Sequence, residues 1–123
     1  MDLLHEKETY SVIGAAMDVH SELGYGFLEA VYQEALEYEF KARKIPYERE
    51  LPLKIYYKGN SLKKYYIADF ICDNKFIIEV KTVSSINSDH NAQLLNYLKA
   101  TGLKLGLILN FGKHNLEHKR IIN

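Results

Sequence analysis

The chain has 123 residues, 47% hydrophobic and 26% charged, which predicts a single globular domain over residues 1–123 and excludes a disordered chain. Its 16 basic and 16 acidic residues give a formal charge of +0, which excludes a uniformly basic nucleic-acid coat but allows a local basic patch. The only cysteine, Cys72, cannot form an intramolecular disulfide. The first residues are too polar for a secretion signal and no apolar run could cross a bilayer, so we expect a cytoplasmic protein without membrane contact.

The charge is unevenly distributed along the chain. Residues 1–50 carry five Lys and Arg against eleven Asp and Glu, a balance of −6, whereas residues 51–123 carry eleven against five, a balance of +6. Two solvated faces that attract each other would explain this pattern, and so would a phosphate-binding face built by the second half.

Apolar spacings of three and four predict two helices in the first part of the chain. The first covers residues 5–22, and its apolar face consists of Tyr10, Val12, Ile13, Ala16, Met17, Val19 and His20. Gly24 and Gly26 end it. The second covers residues 27–44, and its apolar face consists of Leu28, Val31, Tyr32, Ala35, Leu36 and Phe40. It ends before Pro46, because the residue before a proline avoids the helical region.

From Tyr47 onward the period changes to two, which predicts strands over residues 47–57, 64–72 and 76–83, with turns at 58–60 and 73–75. A helix capped by Ser88 or Asp89 runs to Ala100. A buried strand over 104–111 and a short strand over 117–122 follow. The order α-α-β-β-β-α-β-(β) predicts an α/β fold with a mixed central sheet of 4–5 strands flanked by helices.

The third strand carries two charges although both of its faces are apolar. Glu79 and Lys81 lie two residues apart, so they leave the strand on the same face. A three-residue turn centred on Asn74 would place Asp69 directly opposite Glu79, with Cβ atoms about 5 Å apart. Two carboxylates that close repel each other unless a cation lies between them, which favours a magnesium or manganese site. The alternative is a buried ion pair of Lys81 with one of the carboxylates, without a ligand.

These residues resemble a known group of enzymes. Asp69, a spacer of nine residues and then Glu79-Val80-Lys81 resemble the D…ExK core of the PD-(D/E)xK nuclease superfamily, although Ala68 stands where the superfamily name has proline. The segment from Gly26 to Tyr32 resembles the G-x-x-E-x-x-Y signature of a small prokaryotic family in that superfamily. Gln93 to Tyr97 resembles the Q-x-x-x-Y motif of RecB-type nucleases, and Leu109-Asn110-Phe111-Gly112 resembles the family's last core strand. The resemblance implies a restriction-endonuclease-like core.

The resemblance also implies a function, a metal-dependent nuclease that hydrolyses the phosphodiester bonds of nucleic acid, with DNA as the expected substrate. It implies Mg²⁺ or Mn²⁺ as the cofactor, held by Asp69, Glu79, the Val80 carbonyl and Glu29, the last directly or through water. Lys81 would orient or deprotonate the attacking water or stabilise the transition state. The implied catalytic set is therefore Glu29, Asp69, Glu79, Lys81 and Gln93.

Several of these residues have an ordinary structural alternative. Tyr97 and Tyr32 are candidates for substrate contact, but each could be a core tyrosine, and Gln93 could lie on the surface. His20 could contact a residue of the site without touching metal or substrate itself, or it could simply pack in the core. The first hairpin is rich in lysines and tyrosines, which could contact nucleic acid or protect a sheet edge and fill a strand: Lys54, Lys58, Lys63, Lys64, Tyr47, Tyr56, Tyr57, Tyr65 and Tyr66.

The alternative function is a nuclease-like module that binds nucleic acid or a protein partner without cutting. The intact set of Glu29, Asp69, Glu79 and Lys81 favours the enzyme. The small size and neutral charge favour a weak enzyme, or one that needs a homodimer or a protein partner.

Overall fold

The structure is a computed structural model that describes residues 3–123. Met1 and Asp2, part of the N-terminal stretch judged too polar for a secretion signal, lie outside it. The described residues form the elements α1 (Glu6–Leu23), α2 (Glu29–Ala42), β1 (Tyr47–Tyr57), β2 (Asn60–Cys72), β3 (Phe76–Lys81), α3 (Ser88–Thr101), β4 (Leu105–Asn110) and β5 (Glu117–Ile122). This is the predicted order. Within residues 3–123, no helix is both long enough and apolar enough to cross a membrane.

The five strands form one mixed sheet in the order β1-β2-β3-β4-β5. Only β3 and β4 are parallel, because α3 carries the chain back across the sheet between them. Every residue of β4 and all but the last of β3 are buried, as expected for central strands covered on both faces.

The core has two parts, one on each face of the sheet. One part joins α1 and α2 to the sheet and includes Ile78 and Val80 of β3. The other joins α3 to the sheet and includes Ile77. Because successive strand residues alternate between faces, Glu79 and Lys81 share the α3 face with Ile77.

The predicted apolar faces of the two helices were partly wrong. Tyr10 is 80% exposed and Met17 is 50% exposed. They lie seven residues apart on one stripe of α1, and that stripe faces solvent, while the neighbouring stripe containing Thr9 and Ala16 is buried. The Thr9 hydroxyl accepts a hydrogen bond from Arg120 Nη1 at 2.9 Å, which ties α1 to β5. In α2, Leu28 is 79% exposed because it is the extended N-cap rather than a helical residue.

The element boundaries differ from prediction where local turn chemistry decides them. Lys58 and Gly59 both have positive φ angles, which makes a two-residue hairpin turn, so β2 begins at Asn60 rather than at residue 64. The N-cap of α3 is Asn87, not Ser88 or Asp89. Its side chain accepts from His90 N and its own N–H donates to His90 Nδ1, both at 3.1 Å. The other differences are small: α1 covers Glu6–Leu23, α2 covers Glu29–Ala42, β3 ends at Lys81 and β4 covers Leu105–Asn110.

Candidate active site

The site lies where β2 and β3 separate. Phe70 pairs with Ile78, Ile71 with Ile77 and Cys72 with Phe76, which is the register predicted from a three-residue turn centred on Asn74. The ladder stops at Phe70 and Ile78, one step before Asp69 and Glu79 would face each other. Side chains replace the backbone hydrogen bonds beyond that point.

Two carboxylates bridge the gap between the strands. Asp69 N donates to Glu79 Oε2 at 2.8 Å. Val80 N donates to Asp69 Oδ2, also at 2.8 Å. One oxygen of each carboxylate therefore accepts a hydrogen bond from the backbone of the other strand. The two bonds hold the acidic groups side by side.

Burial and mutual repulsion disfavour the charged forms of both groups. Glu79 is only 4% exposed. Burial, and then the negative charge of Asp69, raise the pKa of Glu79 to about 8. Burial also raises the pKa of Asp69, and the charge of Glu29 adds to that effect. The site is therefore one in which a bound cation would relieve an existing electrostatic cost.

Lys81 lies beside the carboxylates but does not pair with them. Its positive charge lowers the pKa of both Asp69 and Glu79. Its Nζ atom, however, donates to Gln93 Oε1 at 3.1 Å. Among the ion pairs formed by residues 3–123, none joins Lys81 to Asp69 or Glu79. The arrangement therefore differs from the ion-pair alternative.

Helix α3 brings Gln93 and Tyr97 to the site from one face, as their spacing of one turn predicts. Tyr97 is 5% exposed. Burial, and then the charges of Glu79 and Asp69, raise the pKa of Tyr97 to about 12. Its hydroxyl therefore stays protonated at neutral pH and can act as a neutral hydrogen-bond donor next to the carboxylates.

Helix α2 contributes Glu29 and a residue that sequence reasoning missed. Glu29 begins the helix, and its charge raises the pKa of Asp69 and Glu79. Gln33, one turn later and buried, lowers the pKa of Asp69 through a side-chain hydrogen bond. Its Oε1 accepts from Arg49 Nη2 at 3.1 Å. The available signal was its position one helical turn after Glu29, on the same face.

Tyr32 supports the site from the core. It is fully buried, and its ring stacks on Phe111 with centroids 4.5 Å apart. Its hydroxyl donates to the Gly24 carbonyl at 2.7 Å and accepts from Phe27 N at 3.3 Å. These contacts fix the turn that leads into Glu29, which matches the core alternative for Tyr32 rather than substrate contact. His20 also packs: its Nε2 donates to the Lys113 carbonyl at 2.9 Å.

Asn110 holds the loop that follows Lys81, and its role was not predicted. The side chain is fully buried. Its Oδ1 accepts from the backbone N–H groups of Val83 and Gly112, both at 3.0 Å. Its Nδ2 donates to the Val83 carbonyl at 2.9 Å and to Glu117 Oε1 at 3.0 Å. Sequence reasoning noted this segment only as a motif, because the Val83 backbone that Asn110 holds lies 27 residues away.

Replacing Asn110 with alanine is expected to destabilise the protein by about 2–4 kcal/mol. The change leaves partly buried backbone groups of Val83 and Gly112 without partners, and a fully buried group without a partner costs about 1–3 kcal/mol. Urea unfolding followed by circular dichroism measures the loss, with Asn115→Ala at an exposed position as the control. A difference below about 0.5 kcal/mol, as at ordinary surface sites, would contradict this role.

The comparisons with known proteins identify the superfamily and the fold. A family model described as the PD-(D/E)XK nuclease superfamily matches residues 6–121. The chain belongs to the PD-(D/E)XK nuclease superfamily. Its mixed sheet and flanking helices are thus the restriction-endonuclease-like fold, as expected. Members of the superfamily are generally nucleases and typically use divalent metal ions.

Other comparisons add the fold alone. No curated protein matches the sequence. A solved structure titled "Crystal structure of SSO0001" superimposes with a TM-score of 0.62 at 23% sequence identity. The match covers 97% of this chain and 60% of that one, so this chain spans about three fifths of the length of that structure.

The residues at the gap fit a hard divalent ion. In residues 3–123, no three His, Cys, Asp or Glu side chains are grouped as a metal site, so side chains alone do not complete a coordination shell. Magnesium commonly takes one or two carboxylates and keeps several waters. The N–H of Val80 points to Asp69, and the N–H and C=O of one strand residue face the same side. The Val80 carbonyl therefore also faces the gap.

Proposed function

We propose that residues 1–123 act as one metal-dependent nuclease domain that hydrolyses phosphodiester bonds of nucleic acid, with DNA as the expected substrate. The observation that carries the proposal is the pair of carboxylates, the buried Glu79 and the partly buried Asp69, bridging the separated strands beside Lys81 and Tyr97. Carboxylates whose pKa is raised by burial and by a neighbouring carboxylate cluster at functional sites.

Membership of the G-x-x-E-x-x-Y family is part of the same proposal. Gly26 has a φ of +114°, a conformation that side chains rarely adopt. Glu29 is the first residue of α2, and the Tyr32 hydroxyl bonds the turn before it. These contacts support a role for Gly26 and Tyr32 in shaping the turn that places Glu29 at the start of α2, next to the proposed site.

Asp69, Glu79 and the Val80 carbonyl would hold Mg²⁺ or Mn²⁺, and Glu29 would contribute through a bound water. Such an ion, when bound, polarises the scissile phosphate and makes its water more acidic. Gln33, whose side chain lowers the pKa of Asp69, would position that carboxylate.

The chain's own residues supply the remaining interactions with substrate. Gln93 holds the Lys81 ammonium next to the carboxylates, where it can orient the attacking water and stabilise the negative charge that develops on the phosphate. The protonated hydroxyl of Tyr97 can donate to a phosphate oxygen. A homodimer or a protein partner, which the small size and neutral charge of the chain favour, is compatible with this chemistry.

Cleavage assays with matched carboxylate variants test the proposal. Supercoiled plasmid, single-stranded DNA and RNA are each incubated with Mg²⁺, with Mn²⁺ or with EDTA. Wild type and Asp89→Asn, an exposed control on α3, are expected to cut at least one substrate only with metal, and Asp69→Asn is expected not to cut. Equal cleavage by Asp69→Asn would contradict the assignment. Absence of cleavage of every substrate would favour the module that binds without cutting.

A further inference from the structure

The β1–β2 hairpin extends well past the candidate active site. In the part of the chain that the structure describes, β2 pairs with β3 only through Phe70–Cys72, whereas its pairing with β1 continues to Tyr57 and Asn60. We call residues 51–68 the arm. The arm is a two-stranded extension that starts next to Asp69.

The arm has the composition of a surface that contacts nucleic acid. Residues 51–68 contain four lysines and no Asp or Glu. Four tyrosines on it are 39–61% exposed: Tyr56, Tyr57, Tyr65 and Tyr66. Lysines alone would suit a protected sheet edge. Exposed aromatic rings close to lysines are instead the features by which proteins bind unpaired bases and their phosphates.

A groove between the arm and α3 gathers these groups. It has a volume of about 420 Å³ and is lined by Lys54, Tyr56, Tyr66, Asn96 and Lys99, among others. That volume lies within the range of about 300–1,000 Å³ typical of ligand sites. Because Lys54 belongs to β1 and Lys99 to α3, two elements distant in sequence bring positive charge to one groove.

Tyr66 lies between the groove and the active site. The rings of Tyr66 and Tyr97 lie 5.3 Å apart, so Tyr66 borders both the groove and the residue next to the carboxylates. A strand with its scissile phosphate at the proposed metal site beside Asp69 and Glu79 would therefore reach the groove by passing over Tyr66.

We propose that the groove between the arm and α3 binds an unpaired nucleic-acid strand, with Tyr56 and Tyr66 stacking on bases and Lys54 and Lys99 contacting phosphates. This deepens the proposed function, on which it rests, by naming single-stranded nucleic acid as the substrate class. An unpaired strand is required because base faces are buried in a duplex and reach aromatic side chains only when unstacked.

Binding measured without metal tests the groove separately from cleavage. The probes are fluorescein-labelled oligothymidylate and oligouridylate of about 16 nucleotides, the upper site size of such grooves, and a DNA duplex of equal length, all in EDTA. Fluorescence anisotropy over a salt series compares wild type, Lys54→Gln/Lys99→Gln and Tyr56→Leu. The control is Lys7→Gln/Lys119→Gln, which removes the same charge at two exposed positions outside the groove.

Wild type and control are expected to bind at least one unpaired probe more tightly than the duplex. Each phosphate contact on a single strand adds about 0.7 to the salt slope, so the double lysine variant should lower the slope by about 1.4. Loss of one stacking ring should weaken binding about fivefold or more. Circular dichroism checks that the variants are folded.

The proposal is overturned if the duplex binds as tightly as both unpaired probes, or if folded groove variants bind like wild type. Its failure is distinguishable from failure of the nuclease assignment. If an unpaired probe binds tightly in the groove but is not cleaved after metal addition, the nuclease assignment is wrong and the groove proposal stands. If metal-dependent cleavage is unchanged in the groove variants, the nuclease assignment stands and the groove proposal is wrong.

Discussion

Replacing Lys81 with alanine is expected to reduce the cleavage rate at least about 100-fold, because loss of one preorganised donor to a transition state typically costs that much. The protein should remain folded. Lys81 is only partly buried, and its Nζ contact is the hydrogen bond to Gln93 at an exposed position. Initial rates on a substrate that wild type cuts measure the loss, and thermal melting verifies the fold.

Two further variants separate a local effect from a general loss of positive charge. Lys119→Ala removes an exposed lysine on β5, at the edge of the sheet away from the arm, and should cut at the wild-type rate. Gln93→Leu keeps Lys81 but removes its acceptor, so it should give a smaller decrease that Gln93→Glu partly restores. Cleavage at the wild-type rate by Lys81→Ala would exclude Lys81 from the chemistry.

Replacing Glu79 with glutamine is expected to stabilise the metal-free protein at pH 8. Burial and Asp69 raise the pKa of Glu79 from 4.5 to about 8 in the folded state. Below pH 4.5 the Glu79 carboxyl is protonated in both the folded and the unfolded state, so it does not lower the free energy of unfolding. As the pH rises from 4.5 to 8 the unfolded chain ionises first, so the folded state progressively loses stability, and above pH 8 the whole loss is present.

The Glu79→Gln variant lacks this titration, so its melting temperature should vary less over that pH range. At pH 8 it should exceed wild type by about 1–3 kcal/mol, which corresponds to several degrees for a domain of this size. Glutamine keeps an oxygen to accept from Asp69 N, so the bridge between the strands persists. Glu48→Gln, at an exposed position of β1, is the matched control.

Metal addition should reverse the order of stability. Millimolar Mg²⁺ or Mn²⁺ should raise the melting temperature of wild type, because a ligand that binds only the folded state stabilises it, and should leave Glu79→Gln nearly unchanged. If Glu79→Gln and Asp69→Asn both lose stability without metal, the carboxylates stabilise the empty fold and the metal-site interpretation is wrong.

Much of the site was predictable from short stretches of sequence. The three-residue turn centred on Asn74 fixed the register of β2 against β3, because hairpin pairing follows from turn length and side-chain alternation. Glu79 and Lys81 were conspicuous because a central strand tolerates charge only where it is used or paired. Gln93 and Tyr97 reached the site together because residues one helical turn apart share a face.

Residues whose partners are distant in sequence could not be predicted in the same way. Gln33, Asn110 and the meeting of Lys54 with Lys99 each depend on two elements packing at one particular angle. The helix stripe with Tyr10 and Met17 looked apolar but faces solvent, because the neighbouring stripe packs on the sheet. The ladder ends at Phe70 and Ile78, which lets Asp69 and Glu79 bond to backbone across the gap.

The sequence alone therefore determined the order of elements, the strand register and the charged residues on the buried strand, because turn length, periodicity and the cost of buried charge act over a few residues. Only the tertiary structure decided which helix stripe is buried, how the two carboxylates are held and which lysines line the groove. The buried stripe and the groove depend on contacts between elements that lie tens of residues apart, and the carboxylate bridge depends on where two neighbouring strands separate. Both are set by the packing of the whole chain.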